Sequence, residues 1–176
     1  MVAIELMTKD YARQLAKQAE GKMKQDRYKL GAWVNKTQQE LEELFLEEVA
    51  LNNEPDDSAS KRTFVILFDN QLVGKIVVMR YNWPKEAPFK SGEWKLSSWI
   101  LPAYRNQNIG FQAETLLGSE VQDYIDVITV ATVFENKRVI HMLTKLGWED
   151  KGEFWMGSVS EQKGWHHFQG FQKHLK

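Results

Sequence analysis

The stretch LSSWILPAYRNQNIGFQAETLL, residues 96–117, changes character twice. It begins inside a β-rich run, Glu93 to Leu101, that Pro102 stops because proline has no N–H with which to continue a ladder. A short polar turn follows, and a helix opens within Asn108-Ile109-Gly110, with Ile109, Ala113, Leu116, Leu117 and Val121 as its apolar stripe. A helix N-terminus leaves about four backbone N–H groups without partners, and its dipole favours negative charge there. A polar turn feeding into it can wrap successive N–H groups round a pyrophosphate. Asn108 and Gly110 suit that close approach, since Asn is among the few non-glycine residues that enter the left-handed region readily. Any strand–loop–helix junction uses such residues, so the stretch taken by itself leaves a purely structural role open.

On the N-terminal side, Val2 to Leu6 reads as a strand, and Thr8 caps a helix to about Ala19 with Tyr11, Leu15, Ala16 and Ala19 on one face. Residues 20–36 are polar and Gly-punctuated, a loop or broken helix. Thr37 starts a second helix, TQQELEELFLEEVALNN, with Leu41, Leu44, Phe45 and Val49 at helical spacing. Its five glutamates between positions 40 and 48 read as the solvated side of an amphipathic helix, with a face for a basic partner as the other reading. After the loop NNEPDDSASK, the runs Arg62 to Phe68 and Leu72 to Arg80 form a hairpin about DNQ. On the C-terminal side follow a strand at 126–133, a helix from Asn136 to Leu146 on Val139, Ile140, Leu143 and Leu146, and strands Trp148 to Val159 and Trp165 to Leu175 around SEQKG. The order predicts a single α+β domain over residues 1–176, with a twisted, mostly antiparallel sheet of six to seven strands and about four helices.

Composition narrows the function. The net charge of −1 lacks the basic excess of a nucleic-acid binder, so no nucleic-acid partner is expected. With no cysteine there is no disulfide, thiolate zinc site or cysteine nucleophile. The start MVAIELMTKDYARQ has no signal-peptide core, and no apolar run approaches the ~18 to 20 residues of a membrane span. A cytoplasmic protein is expected, and a homodimer is compatible with the reading. His141, His166, His167 and His174 have no ligand partner at helical spacing, so no metal site is expected. Trp33, Trp83, Trp155 and Trp165 read first as packing residues and second as walls of an acceptor pocket.

Two separated motifs resemble the GNAT superfamily of N-acetyltransferases. Its phosphate loop, Arg/Gln-x-x-Gly-x-Gly/Ala after a strand ending in proline, is matched by Arg105-Asn106-Gln107-Asn108-Ile109-Gly110, with Asn108 replacing the first glycine. Asn136, Val139, Ile140 and then Lys145-Leu146-Gly147-Trp148 resemble the family's second motif, and ENKRVIHMLTKLGWEDKG is closest to the branch that acetylates ribosomal-protein N-termini. The resemblance implies acetyl-CoA as cosubstrate and a primary amine as acceptor, a small molecule or a peptide N-terminus. It implies that main-chain groups of Ser98, Trp99 and Ile100 pair with the pantetheine arm, that Arg105 and the backbone of residues 106–111, through Phe111, hold the pyrophosphate, and that Asn136 bonds the pantetheine near the thioester.

The pattern departs where the chemistry needs an acid. Many family members place a proton-donating Tyr seven residues after the Asn, and here that position is Leu143. His141 lies about 200° round the helix from it, and Thr144, about 100° away, is a poor acid. Water or a residue from another element must then serve, or the chain is a catalytically silent acyl-CoA-binding or sensor protein of the same fold. For the base, Glu93 and Ser97 share a face of the third strand by alternation. A lysine amine costs about 4.6 kcal/mol to deprotonate at pH 7 and an α-amine about 1. A site with no evident strong base therefore matches an α-amine better than a lysine.

Overall fold

The capping signals of the sequence are the ends of its first two helices. The computed structural model describes residues 1–22, 36–157 and 164–176. Thr8 is the N-cap of α1 (Lys9–Ala19), its hydroxyl accepting from the Tyr11 N–H, and Ala12, Leu15, Ala16 and Ala19 are buried. Helix α2 (Gln38–Leu51) opens with a capping box in which Glu40 takes the Thr37 N–H and Thr37 the Glu40 N–H. Those bonds from Thr37 hold the Glu40 carboxyl below its usual range. Asp69 and Asn70, both at positive φ (49° and 62°), make the two-residue turn between β2 (Lys61–Phe68) and β3 (Gln71–Arg80).

With β1 (Val2–Leu6), β4 (Trp94–Ile100), β5 (Val127–Val133), β6 (Glu149–Gly157) and β7 (Trp165–His174), these strands form one seven-stranded sheet in the order β1-β2-β3-β4-β5-β7-β6. Every neighbouring pair is antiparallel except β4 with β5. Helices α3 (Ile109–Val121) and α4 (Lys137–Lys145) complete the four α-helices among the described residues, giving the expected mixed α+β fold.

Alternation along the strands builds two cores. On one face Ile76, Val78, Leu96 and Ile128 meet Ile109 and Leu117 of α3 and Leu143 of α4. On the other, Val65, Leu72 and Trp99 meet Leu15, Leu41 and Phe45 of α1 and α2. Burial of each such large apolar side chain is worth about 1.5–3 kcal/mol, enough to fix which helices cover which face. A smaller aromatic cluster of Trp83, Phe89, Phe154 and Phe168 fastens the loop after β3 to β6 and β7. Gly74 lets β3 and β4 approach closely at their ends, since a Cβ there would lie 2.2 Å from the Trp99 carbonyl oxygen.

Two sequence expectations fail instructively. Glu48, one of the five glutamates assigned to solvent, is buried and bonds Lys61 (2.8 Å) and Lys75 (2.5 Å). Two lysines facing α2 from the strands make that position tolerable, which helical periodicity alone does not reveal. On α3, Leu116 is exposed and Glu114 is buried in its place beside the Ile109–Ala113–Leu117–Val121 row. Most of the 20–36 loop, with Trp33, and residues 158–163 of the last hairpin lie outside the described residues.

Candidate active site at the parting of β4 and β5

Strands β4 and β5 pair only at Trp94↔Ile128 and Lys95↔Thr129. Beyond that point β4 stays with β3 as far as Ile100↔Gly74, and β5 stays with β7 as far as Val133↔Phe168. The sheet therefore opens into a gap whose apex is pinned from the side: the Thr129 hydroxyl donates to the Trp94 carbonyl (2.9 Å) and accepts from the Trp83 indole N–H (3.1 Å).

The Leu101 N–H bonds the Val73 carbonyl at 2.8 Å, which fixes the parity of β4. Odd-numbered residues turn their peptide groups to β3, and Ser98 and Ile100 turn theirs to the gap. Two of the three residues expected to offer peptide groups to an added strand thus face the opening. The peptide groups of Trp99 face β3, and its indole lies in the core under α1 and α2, with Nε1 buried and unpartnered among the described residues.

At the open end the chain makes a short 3-10 turn, Pro102–Tyr104, and then enters α3 through two left-handed residues, Asn106 (φ 66°) and Asn108 (φ 61°). Asn108 occupies the N-cap position without a side-chain capping bond. The first helical bond runs from the Gln112 N–H to the Asn108 carbonyl, so the N–H groups of Ile109, Gly110 and Phe111 have no acceptor within the helix. Arg105 Nε donates to the Ile100 carbonyl at 2.9 Å, tying the loop to the end of β4, and the Gln107 amide donates to the Ala103 carbonyl. A Cβ on Gly110 would meet Ile100 Cδ1 at 3.5 Å and Met142 Sδ at 3.7 Å, ordinary contacts. Nothing among the described residues would crowd a Cβ at that position.

Across the gap, Asn136 sits at the N-cap position of α4, yet its side chain makes no capping bond. Leu143 is fully buried, His141 is exposed, and the exposed Thr144 hydroxyl donates to the Ile140 carbonyl. Glu93 lies one residue ahead of β4 rather than on it, because the Lys90–Glu93 turn is still closing there. Its carboxylate accepts from the Lys90 N–H (3.1 Å) and the Gln172 amide (3.5 Å). Ser97 is half-buried on the same face of the sheet, opposite to α3.

The residue that sequence reasoning missed is Glu114. It stands one turn after Gly110, with the Ser98 hydroxyl donating to it, and Oε2 is buried with no partner among the described residues. Burial pushes its carboxyl up to about 8, opposed by the Lys173 ammonium and the Ser98 bond, so the group is neutral at pH 7. A lone acid in the apolar half-turn after the loop was a readable signal, obscured by assigning Leu116 to the stripe. Among the described residues no three His, Asp or Glu side chains are grouped to hold a metal ion, and no helix is long and apolar enough to cross a membrane.

An opened sheet with a helix N-terminus at its mouth can take an extended arm that ends in a pyrophosphate. Residues 30–148, more than half of the chain, match the acetyltransferase (GNAT) family, and the chain belongs to that family. A sequence search of curated proteins found no significant match. Among solved structures, the chain is similar to RimL, a ribosomal L7/L12 alpha-N-protein acetyltransferase in complex with coenzyme A: 11% identity, TM-score 0.77, covering 98% of this chain and 93% of that one. A Salmonella typhimurium acetyltransferase that modifies the N-terminal serine of ribosomal protein L7/L12 is similar at 11% identity and TM-score 0.76, covering 99% and 95%. The microcin C7 self-immunity acetyltransferase MccE, in complex with acetyl-CoA and AMP, is similar at 14% identity and TM-score 0.75, covering 98% and 92%. At these identities the likeness is one of fold.

Proposed function

We propose that the chain, acting as one catalytic domain over residues 1–176 in the cytoplasm, moves an acetyl group from acetyl-CoA to a primary amine, and that the amine is a peptide or protein N-terminus. The observation that carries the reading is the gap between β4 and β5, with the peptide groups of Ser98 and Ile100 turned toward it along one side and the first-turn N–H groups of α3 at its mouth. An extended pantetheine arm would complete the interrupted sheet, and the pyrophosphate would take residues 106–111. The Asn136 amide, not spent on capping, is free to bond the arm near the thioester.

The acceptor follows from the chemistry of the opposite face. Glu93 is half-buried, and its carboxylate is already held by a backbone N–H and an amide, so it would work through water. Such a site favours an amine that is already partly neutral, with a pKa near 8. The structural likeness to enzymes that modify the N-terminus of L7/L12 supports the same acceptor class. Ser97, further along β4 on the face opposite to α3, would contact the incoming amine.

The buried Leu143 favours a second reading, a silent acyl-CoA-binding protein. Thiol release from acetyl-CoA, measured across peptides, polyamines and antibiotics, decides between them. Release with N-terminal amines supports the first reading, and tight acetyl-CoA binding without release for any acceptor supports the second. Acetylation of internal lysines with N-termini ignored would overturn the acceptor.

A further inference from the structure

Acyl transfer leaves a thiolate that needs a proton, and Leu143 supplies none. On the α3 side of the sheet Glu114 is a buried acid bonded to β4. Its hydrogen-bond partner Ser98 is one of the two β4 residues whose peptide groups turn to the gap, and even-numbered β4 side chains point toward α3. The carboxyl is therefore one side chain removed from the path of the pantetheine. Glu114 also lines a cavity of about 210 Å³, together with Leu96, Ile128, Trp148 and Lys173 and with the exposed Thr115 and Ser119. Oε2 has no partner among the described residues. Buried carboxyl oxygens in proteins are ordinarily satisfied, so an orphan between a ligand gap and a water-accessible cavity calls for a ligand.

The geometry points to Glu114 as the general acid: its carboxyl protonates the departing coenzyme A thiolate, and the cavity returns the proton from water. This assignment rests on the acetyltransferase reading above. The amine lone pair forms the C–N bond, the C–S bond breaks with its electron pair going to sulfur, and sulfur takes the Glu114 proton. The nitrogen gives its surplus proton to water on the Glu93 side. Glu114, left as a carboxylate, is reprotonated through the cavity, so the sum is an amide and a thiol.

The electrostatics fit the role. The charged and titratable groups about the carboxyl are Lys173 and His174 from the end of β7, while β4 contributes Ser98 and the corner after α4 contributes Trp148. Lys173 also donates to the Leu146 carbonyl, which holds its ammonium where it can steady the carboxylate formed in the step. An alkyl thiol of pKa ~8.5 and a carboxyl raised to about 8 are nearly matched, so the transfer runs without a large uphill step.

The test has an arm that needs no acceptor. In infrared difference spectra of the wild-type protein, with glutamate isotopically labelled, a protonated-carboxyl band absent from the Glu114→Gln variant should shift when acetyl-CoA binds. A band that stays put while calorimetry shows acetyl-CoA bound would overturn the assignment alone. Failure of the wild-type protein to bind acetyl-CoA would sink the acetyltransferase reading and this step with it. In turnover with a peptide bearing an N-terminal serine, Glu114→Gln should lower kcat about 10²-fold with acetyl-CoA affinity kept. The deficit should shrink with the seleno analogue of acetyl-CoA, whose better leaving group needs less protonation. An equal deficit with both donors would reduce Glu114 to a structural role.

Discussion

Replacing Glu114 by Gln should change how stability depends on pH, because the carboxyl is raised from an ordinary 4.5 to about 8 by burial. Between these values the folded protein holds a proton that the unfolded chain releases. The native state binds more protons, and stability falls as pH rises through this window. The contribution is fully present below pH 4.5, declines from there, and levels off above about 8. At pH 7 the unfolded chain is about 2.5 units past its midpoint, and at 1.36 kcal/mol per unit the native state has lost about 3 kcal/mol relative to pH 4. An amide does not titrate, so the variant lacks this loss. Urea denaturation of both proteins from pH 4 to 9 gives the difference between the two stabilities. Other titrating groups cancel in it, and so does any constant cost of an imperfect amide hydrogen bond. The variant should gain about 3 kcal/mol on the wild type between pH 4 and pH 7, with no further gain above about 8.5. Parallel curves would refute the buried neutral carboxyl.

Three further perturbations probe the rest of the site and its support. Gly110→Val should leave the fold largely intact, since a Cβ there makes ordinary contacts, and should weaken acetyl-CoA binding at least tenfold, about 1.4 kcal/mol or more, in calorimetry. Glu48→Leu leaves Lys75 and Lys61 without their carboxylate, one of them fully buried; denaturation should show a loss of about 3–5 kcal/mol, with the Kd for acetyl-CoA nearly unchanged in the folded fraction. Leu143→Tyr should restore part of the turnover lost in Glu114→Gln, because it returns a phenol to the position where the family resemblance expects one. No rescue from a folded double variant would place Leu143 away from the sulfur.

Periodicity and punctuation carried most of the fold. Pro102 ended a strand, Thr8 and Thr37 began helices, and Asp69-Asn70 turned a hairpin, each by a local rule that tertiary context did not override. Of the candidate site, the left-handed entry into α3 was legible because that geometry restricts residue type, and Asn108 adopts it. What escaped was non-local. That Ser98 and not Trp99 turns its peptide groups to the gap depends on register with β3, which no residue of β4 announces. That Glu48 is buried depends on Lys61 and Lys75 arriving from two strands. Helical spacing assigned Leu116 to the core because it counts apolar residues. The α3 surface that meets the sheet is set by where β4 and β5 part, and it includes an acid.

Glu48 and Glu114, the two glutamates buried among the described residues, make the case for a functional role through their contrast. Glu48 lies under α2 with an ammonium group on each carboxylate oxygen and a threonine hydroxyl in reach, as expected of a charge retained for structure. Glu114 lies under α3 with one hydroxyl, an ammonium acting from a distance, and a bare oxygen. A leucine in its place would extend the core formed by Ile109, Ala113 and Leu117 and remove the pH-dependent loss. Natural proteins give up stability in this way where activity requires it. The deficit at Glu114 adjoins the open edge of β4 and the solvent-accessible cavity, a position in which a proton can be both delivered and replaced.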